Sequence, residues 1–245
     1  MKRIFALILA AAMVLAFAAC GNSAPAEFTK KEEAVPPSSS NVQTEPPAPA
    51  DDAAPDGSQM DDAAQTEQTK GDSHMLVAYF SLAGEQYGVG VVEEGNTSII
   101  AHMIAEQTGA DLFEIKPVTP YPTTYQGLLD VSQQEMRNNS RPEIADTVDN
   151  MADYDTIFIG YPNWWGDMPM IVYSFLEGYD LSGKTIVPFC THGGSGLSNT
   201  ESTIADITGG TMKKGLAIPG TTAQNDRDTA RSKVTQWLRE GDFIA

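Results

Sequence analysis

Three short stretches of the chain carry residue types that can hold a ligand. The first begins at Ser81, where an apolar segment ends, and resumes at Gly95-Asn96-Thr97-Ser98. Hydroxyls and unpaired backbone N–H groups at a helix start make a favourable place for an anion, because the helix dipole adds to them. That pattern fits a phosphate cradle, and it also fits an ordinary Asn or Thr cap behind a flexible glycine. The second stretch is Pro162-Asn163-Trp164-Trp165-Gly166. Two adjacent indoles on a loop suit a flat ligand, or else they close the hydrophobic core. The third is Thr191-His192-Gly193-Gly194-Ser195-Gly196, with three glycines in four positions. Such glycines let the backbone come close to a planar molecule and offer amides to its carbonyl edge. His192 reads as a partner in that loop or as a residue satisfied by solvent or a carbonyl.

Several chemistries are excluded by what these stretches lack. The third position after Gly90 is Glu93, so there is no GxGxxG, and no P-loop lysine occurs. Dinucleotide and nucleoside triphosphate readings fall away with them. His192 has no second histidine beside it, His102 falls on a helical pattern, and no cysteine cluster exists, so no metal site is expected. No catalytic residue is assigned. Of the two cysteines, Cys190 ends an apolar segment and reads as a buried thiol rather than a reactive one.

These stretches have to be positioned by the elements around them. Met75 to Ser81 is apolar throughout and predicts a first strand, and Ala110 to Lys116 predicts a second, edge-like one. Thr156 to Tyr161, after Asp155, is β-branched or aromatic apart from Gly160, which predicts a central parallel strand stopped by Pro162. Lys184 to Cys190 and Leu216 to Pro219 predict the fourth and fifth strands. Helical patterns fall between them, over Ser98 to Gln107, Thr124 to Asn138, Met168 to Gly178 and Leu197 to Thr208, and a closing one over Asp226 to Glu240. Five strands alternating with five helices predict a three-layer α/β/α fold with a parallel sheet in the order 2-1-3-4-5. In that order the loops after the first and third strands meet at the topological switch point, with the loop after the fourth beside them.

From Leu76 onward the chain resembles the flavodoxin family. The resemblance is carried by LVAYFS on the first strand, ADLFEI on the second, GYPNWWGD after the third and THGGSG after the fourth. It implies the flavodoxin-like fold and flavin mononucleotide (FMN) as cofactor. Carried across by position, Ser81, Asn96, Thr97 and Ser98 would hold the phosphate. Pro162, Asn163, Trp164, Trp165 and Gly166 would flank one side of the isoalloxazine, with Trp164 favoured over Trp165 as the stacking ring. Thr191, His192, Gly193, Gly194 and Gly196 would flank the other. The family's compact form, Ser-x-Thr-Gly-Asn-Thr, has two residues between serine and glycine, whereas thirteen, Leu82 to Glu94, lie between Ser81 and Gly95 here. The expectation is that the extra residues loop out, leave the cradle intact, and let Tyr87 fold over the flavin.

The amino-terminal part gives an address. Lys2 and Arg3 precede an apolar run that ends in Phe17-Ala18-Ala19-Cys20, which predicts a signal peptide over residues 1–19. Cys20 resembles the lipobox cysteine of bacterial lipoproteins, implying lipidation and an extracytoplasmic position anchored to the bacterial cell membrane. Residues 21–74 hold seven of the fifteen prolines and no aromatic after Phe28. Such a segment predicts a disordered tether with a span of about 40 Å, followed by one folded domain over residues 75–245. That domain carries 22 acidic and 10 basic residues, a net charge of −12. So acidic a surface argues against nucleic acid and favours redox partner proteins with basic surfaces, with the membrane reached only through Cys20. The function expected is a one-electron carrier working through a flavin semiquinone. The alternatives are an NAD(P)H-dependent FMN quinone or flavin oxidoreductase, and a non-redox surface binding module of the same fold.

Overall fold

The computed structural model describes residues 74–245. The expected signal peptide (1–19), Cys20 and residues 21–73 of the tether lie outside the described residues. In chain order the elements begin with β1 (Met75–Tyr79), a hairpin of β2 (Gly84–Gln86) and β3 (Gly90–Val92), α1 (Asn96–Thr108), β4 (Asp111–Glu114) and α2 (Tyr125–Asn138). They continue with β5 (Thr156–Pro162), α3 (Met170–Glu177), β6 (Thr185–His192), α4 (Thr200–Thr208), β7 (Thr211–Met212), β8 (Leu216–Pro219), α5 (Gly220–Asn225) and α6 (Arg227–Glu240).

The main sheet is parallel, in the order β4-β1-β5-β6, with β7 and β8 both beside β6. Its centre is β5, whose side chains from Thr156 to Tyr161 are all buried. An unbroken apolar run is what a strand covered on both faces requires. One face packs under α1 and α6 through Ile99, Ile100, Ile104, Val234 and Trp237. The other packs under α2, α3 and α4 through Leu128, Ile171, Phe175 and Ile204. This is the expected three-layer arrangement, and it brings the carboxyl ends of β1, β5 and β6 to one edge.

The sheet has six strands rather than five, because the position beside β6 is shared by two. β7 pairs with Thr185 and Ile186, and β8 with Phe189 to His192. The gap between them falls opposite Pro188. Lys213 N donates to Ile186 O, so residues of the same parity on β6, Pro188 included, turn their backbone groups toward β7 and β8. Proline has no N–H to give there, and the neighbouring chain detours through Lys213-Lys214-Gly215 before pairing again.

The segment from Leu82 to Glu94, eleven residues longer than in the compact form, does not loop out. It folds back as the β2–β3 hairpin, pinned at both ends. At one end Glu85 N donates to Thr123 O at 2.9 Å, and Glu85 Oε2 accepts from Tyr125 N at 2.7 Å. At the other, Glu94 O accepts from Gln224 Nε2 at 2.7 Å, while its carboxylate takes Ser98 Oγ and lies 3.3 Å from Arg227. A helix start predicted at Ser98 lies at Asn96 instead, with Gly95 as the residue before it.

Candidate functional site

At the carboxyl edge of β1, β5 and β6 lies an open cavity of about 470 Å³. Ligand sites commonly fall in the range of roughly 300–1,000 Å³. Of the residues singled out in the sequence, Asn96, Pro162, Asn163, Trp164, Trp165, Gly166, Thr191, His192, Gly193 and Gly194 line it. A small adjoining void of about 10 Å³ is lined by Ser81 and Thr97 together with Asn96, Pro162, Trp164 and Thr191. The three loops therefore do converge.

Each loop is built by local bonds. Between Trp164 and Asp167 the backbone exchanges two hydrogen bonds of 2.8 and 2.9 Å, and the two residues between them have φ +58° (Trp165) and +81° (Gly166). Two positive φ values in a two-residue turn are the type I′ geometry, for which glycine suits the second place and a tryptophan is a poor choice in the first. Asp167 fixes the turn to α3, its carboxylate accepting from Met168 N and from Tyr173 Oη at 2.9 Å. The two indoles consequently part company. Trp164 turns inward and meets Phe80 and Tyr121 edge-on, with ring centroids 5.5 and 5.7 Å away. Trp165 stays 48% exposed, and its Nε1 donates to Ser132 Oγ on α2 at 3.1 Å. Both rings line the cavity, but the packing differs from the preference for Trp164 as the stacking ring. Trp164 is held by core aromatics, whereas Trp165 is the more exposed of the two rings at the cavity.

Asn163 joins the second and third loops. Its Nδ2 donates to Gly196 O at 2.9 Å and to Ser198 Oγ at 3.1 Å, and its Oδ1 accepts from Gly166 N. Gly196 (φ +64°) serves as this bracket's acceptor and does not line the cavity, which corrects its place beside the ligand. In the same loop His192 Nδ1 accepts from Gly194 N at 3.0 Å, which assigns its proton to Nε2. Burial, helped by the charge of Lys233, lowers the His192 pKa below the usual histidine range, so the ring is a neutral donor. The Cys190 thiol donates to Gly196 O at 3.2 Å and is pushed up to about 12 by burial and then by Glu201. It is an inert core group, as the sequence suggested.

The first loop supplies neutral polar groups. Thr97 and Thr191, both buried, share a hydrogen bond of 2.8 Å between their hydroxyls, which leaves one of the two protons for another acceptor. Ser81 Oγ accepts from Ser98 N at 3.0 Å. The Ser98 hydroxyl is committed to Glu94 and stands 3.3 Å from His102 Nδ1, and Ser98 lines neither cavity, so it does not belong to the cradle by its side chain. Asn96 is the informative member. Its buried Oδ1 has no hydrogen-bond partner among the described residues, and a Cβ placed on Gly220 would come within 2.5 Å of its Nδ2. A buried amide oxygen with no partner is an acceptor awaiting a donor, such as a ligand hydroxyl or a water, so a bond from Asn96 to a phosphate falls to its Nδ2. Among the described residues no lysine or arginine lines either space.

Comparison with known proteins agrees with this geometry. The family model described as flavodoxin matches residues 74–240. The chain belongs to the flavodoxin family. A crystal structure assigned as a flavoprotein from Bacteroides eggerthii is 31% identical, with a TM-score of 0.54 over 68% of this chain and 99% of that one. A second, from Bacteroides uniformis, is also 31% identical, with a TM-score of 0.54 over 68% and 98%. A Lactobacillus acidophilus flavoprotein in complex with FMN is 22% identical, with a TM-score of 0.48 over 67% and 98%. No curated protein matches.

The flavodoxin domain also brings to the cavity residues that the sequence did not single out. Glu85 and Gln86 arrive on the hairpin beside Tyr87, which the sequence places over the flavin, Tyr125, Leu128, Leu129 and Ser132 arrive on α2, and Gly220 at the start of α5. Gly220 was within reach of sequence reasoning, since it directly follows the predicted fifth strand and so belongs to the same edge. The α2 residues were not, because nothing in their spacing tells which turn of that helix faces the loops.

Proposed function

We propose that this flavodoxin domain binds FMN in the cavity and serves as an electron carrier, transferring one electron at a time. The observation that carries the reading is Trp165, a bulky residue held in left-handed backbone with its ring half exposed over the cavity. Strain of that kind persists where function requires it. The cavity also has donors suited to the group. Trp165 and the glycine strip of the third loop would flank the isoalloxazine. Asn96, Thr97, Ser81 and the amino end of α1 would take the ribityl phosphate, using neutral groups and the helix dipole rather than cations. Gly166 N is already spent on Asn163 Oδ1, and His192 contributes a neutral Nε2–H.

Bound FMN supplies reversible electron transfer, and the protein's part is to hold it, tune it and shield it. The net charge of −12 over residues 75–245 supports redox partners with basic surfaces and disfavours the approach of anionic molecules, nucleic acid included. The sequence around Cys20 supports an extracytoplasmic protein held to the bacterial membrane by a lipid on that residue.

The test is an anaerobic dithionite titration of the purified full chain in detergent with FMN, followed in the visible. Two successive one-electron steps are expected. A single two-electron step, together with turnover of NADH or NADPH with a quinone, would identify a reductase instead. Absence of FMN binding would leave a binding module of flavodoxin fold. Incorporation of labelled fatty acid, abolished in Cys20→Ser, tests the anchor.

A further inference from the structure

We propose that Tyr87 is a flavin-covering residue: the inserted hairpin supplies the aromatic wall that the third loop lacks. The inference rests on the flavin reading of the cavity and deepens it. Thr191 to Gly196 contains no aromatic residue other than the imidazole of His192, so the backbone strip it presents is bare. Over Gly193, at one end of that strip, lies the Tyr87 ring, while Gly194 lines the cavity beside it. A Cβ built on Gly193 would stand 2.7 Å from Tyr87 Cδ1 and 3.0 Å from Cε1, closer than packed carbons approach. Glycine at this position is what lets the ring sit down on the loop.

The ring's position is built in rather than incidental. β2 is fastened to the start of α2 by the two Glu85 bonds, and Gly84, at φ +98°, lies so near Thr123 that a Cβ would meet its carbonyl oxygen at 2.5 Å. The turn itself bends through Gly88 and Gly90, both at positive φ, and a Cβ on Gly88 would contact Thr221 on α5. The hairpin therefore runs from α2 to α5 across the edge of the cavity. Tyr87 and Tyr125 face each other at 6.2 Å and line the same space as Trp165. Yet Tyr87 is 65% exposed, so most of its apolar face is uncovered in the domain alone. A ring pinned by its carrier, seated on a glycine and otherwise bare, has the arrangement of a wall whose partner is the ligand.

The experiment measures FMN release from the full chain by stopped flow, together with the quenching of flavin fluorescence, for wild type, Tyr87→Phe and Tyr87→Ala. An aromatic pairing of ordinary strength predicts release from Tyr87→Ala about two- to tenfold faster, with weaker quenching, and Tyr87→Phe unchanged. Gly193→Ala should speed release in the wild type, by displacing the ring, and by a smaller factor in the Tyr87→Ala background. Wild-type rate and quenching in Tyr87→Ala, or equal effects of Gly193→Ala in both backgrounds, would overturn the role of Tyr87 while leaving the flavin reading intact. A wild-type chain that takes up no FMN would refute the flavin reading itself, and the role of Tyr87 with it.

Discussion

The neighbouring tryptophans should respond to substitution in opposite ways, and the structure sets the sizes. Trp164 meets Phe80 and Tyr121 edge-on and packs against the α2–α3 side of the core. Removing such a ring costs about 3–5 kcal/mol, a large share of the roughly 5–15 kcal/mol that holds a domain together. Trp165→Gly loses the hydrogen bond to Ser132, worth about 1 kcal/mol. It also loses the contacts of a half-exposed side chain, worth about another 1 kcal/mol. Against this, relieving a bulky residue at φ +58° returns roughly 1–2 kcal/mol. The net change in stability should lie within about 1 kcal/mol of zero. Flavin affinity should move the other way, since losing an aromatic stacking partner weakens binding by about 1–3 kcal/mol, or roughly tenfold and more. Urea unfolding of the ligand-free chain and fluorimetric titration with FMN give the two numbers for each variant. If Trp165→Gly unfolds as readily as Trp164→Ala, or binds FMN as the wild type does, the assignment of the two rings is wrong.

Three further outcomes follow from the packing and ion pairing of the domain. Gly160 lies under the Phe189 ring, and a Cβ there would fall 2.1 Å from its Cζ, with both residues fully buried. Gly160→Ala should destabilise the domain by about 1–3 kcal/mol in urea unfolding. Phe189→Leu added to it should recover part of the loss, and a strictly additive double variant would deny the contact. Arg141 holds both carboxylate oxygens of Glu177, at 2.6 and 2.7 Å, and depresses its pKa. A depressed carboxylate contributes stability above its unfolded pKa of about 4.3 and loses it as pH falls through the folded value. With Glu177 41% exposed, the contribution is at most about 1 kcal/mol. The free energy of unfolding should therefore drop less between pH 6 and pH 3 in Arg141→Met than in the wild type. Cys190, buried and with its pKa near 12, should resist iodoacetamide at neutral pH in the folded chain and react on unfolding, which mass spectrometry reads directly.

The layers and strand order were legible because they rest on long apolar runs. Thr156 to Tyr161 has no polar alternation, and the helices between strands show one apolar face each, so a parallel sheet covered on both sides is the arrangement that buries them all. What the runs do not reveal is where a strand stops pairing. Pro188 was visible inside KTIVPFC, but whether its missing N–H mattered depended on the direction its backbone faced. Only the register of β6 against β5 and β8 settles that, and it places the gap in the fifth position opposite the proline. The β2–β3 hairpin was hidden for a different reason. Three residues a side, Gly-Glu-Gln and Gly-Val-Val, give no usable period, and the hairpin is held by Thr123, Tyr125 and Gln224, all remote in sequence.

At the site, residue types were readable and their division of labour was not. A hydroxyl or amide near a helix start can face a ligand or brace a loop, and composition does not tell these apart. Asn163 and Gly196 turn out to be spent on each other and Ser98 on Glu94, while among the described residues Asn96 keeps a buried oxygen unpartnered. Of the two tryptophans only Trp165 has a positive φ, and the type I′ turn directs the consecutive side chains to different surroundings. That turn was within reach, because Trp-Gly between Trp164 and Asp167 places glycine where positive φ is needed. The cost of the residue before it was not. A tryptophan in the left-handed region is a local loss that the fold does not need, since glycine or asparagine would make the same turn with less strain. Its presence directs attention to what the ring faces, and it faces the cavity.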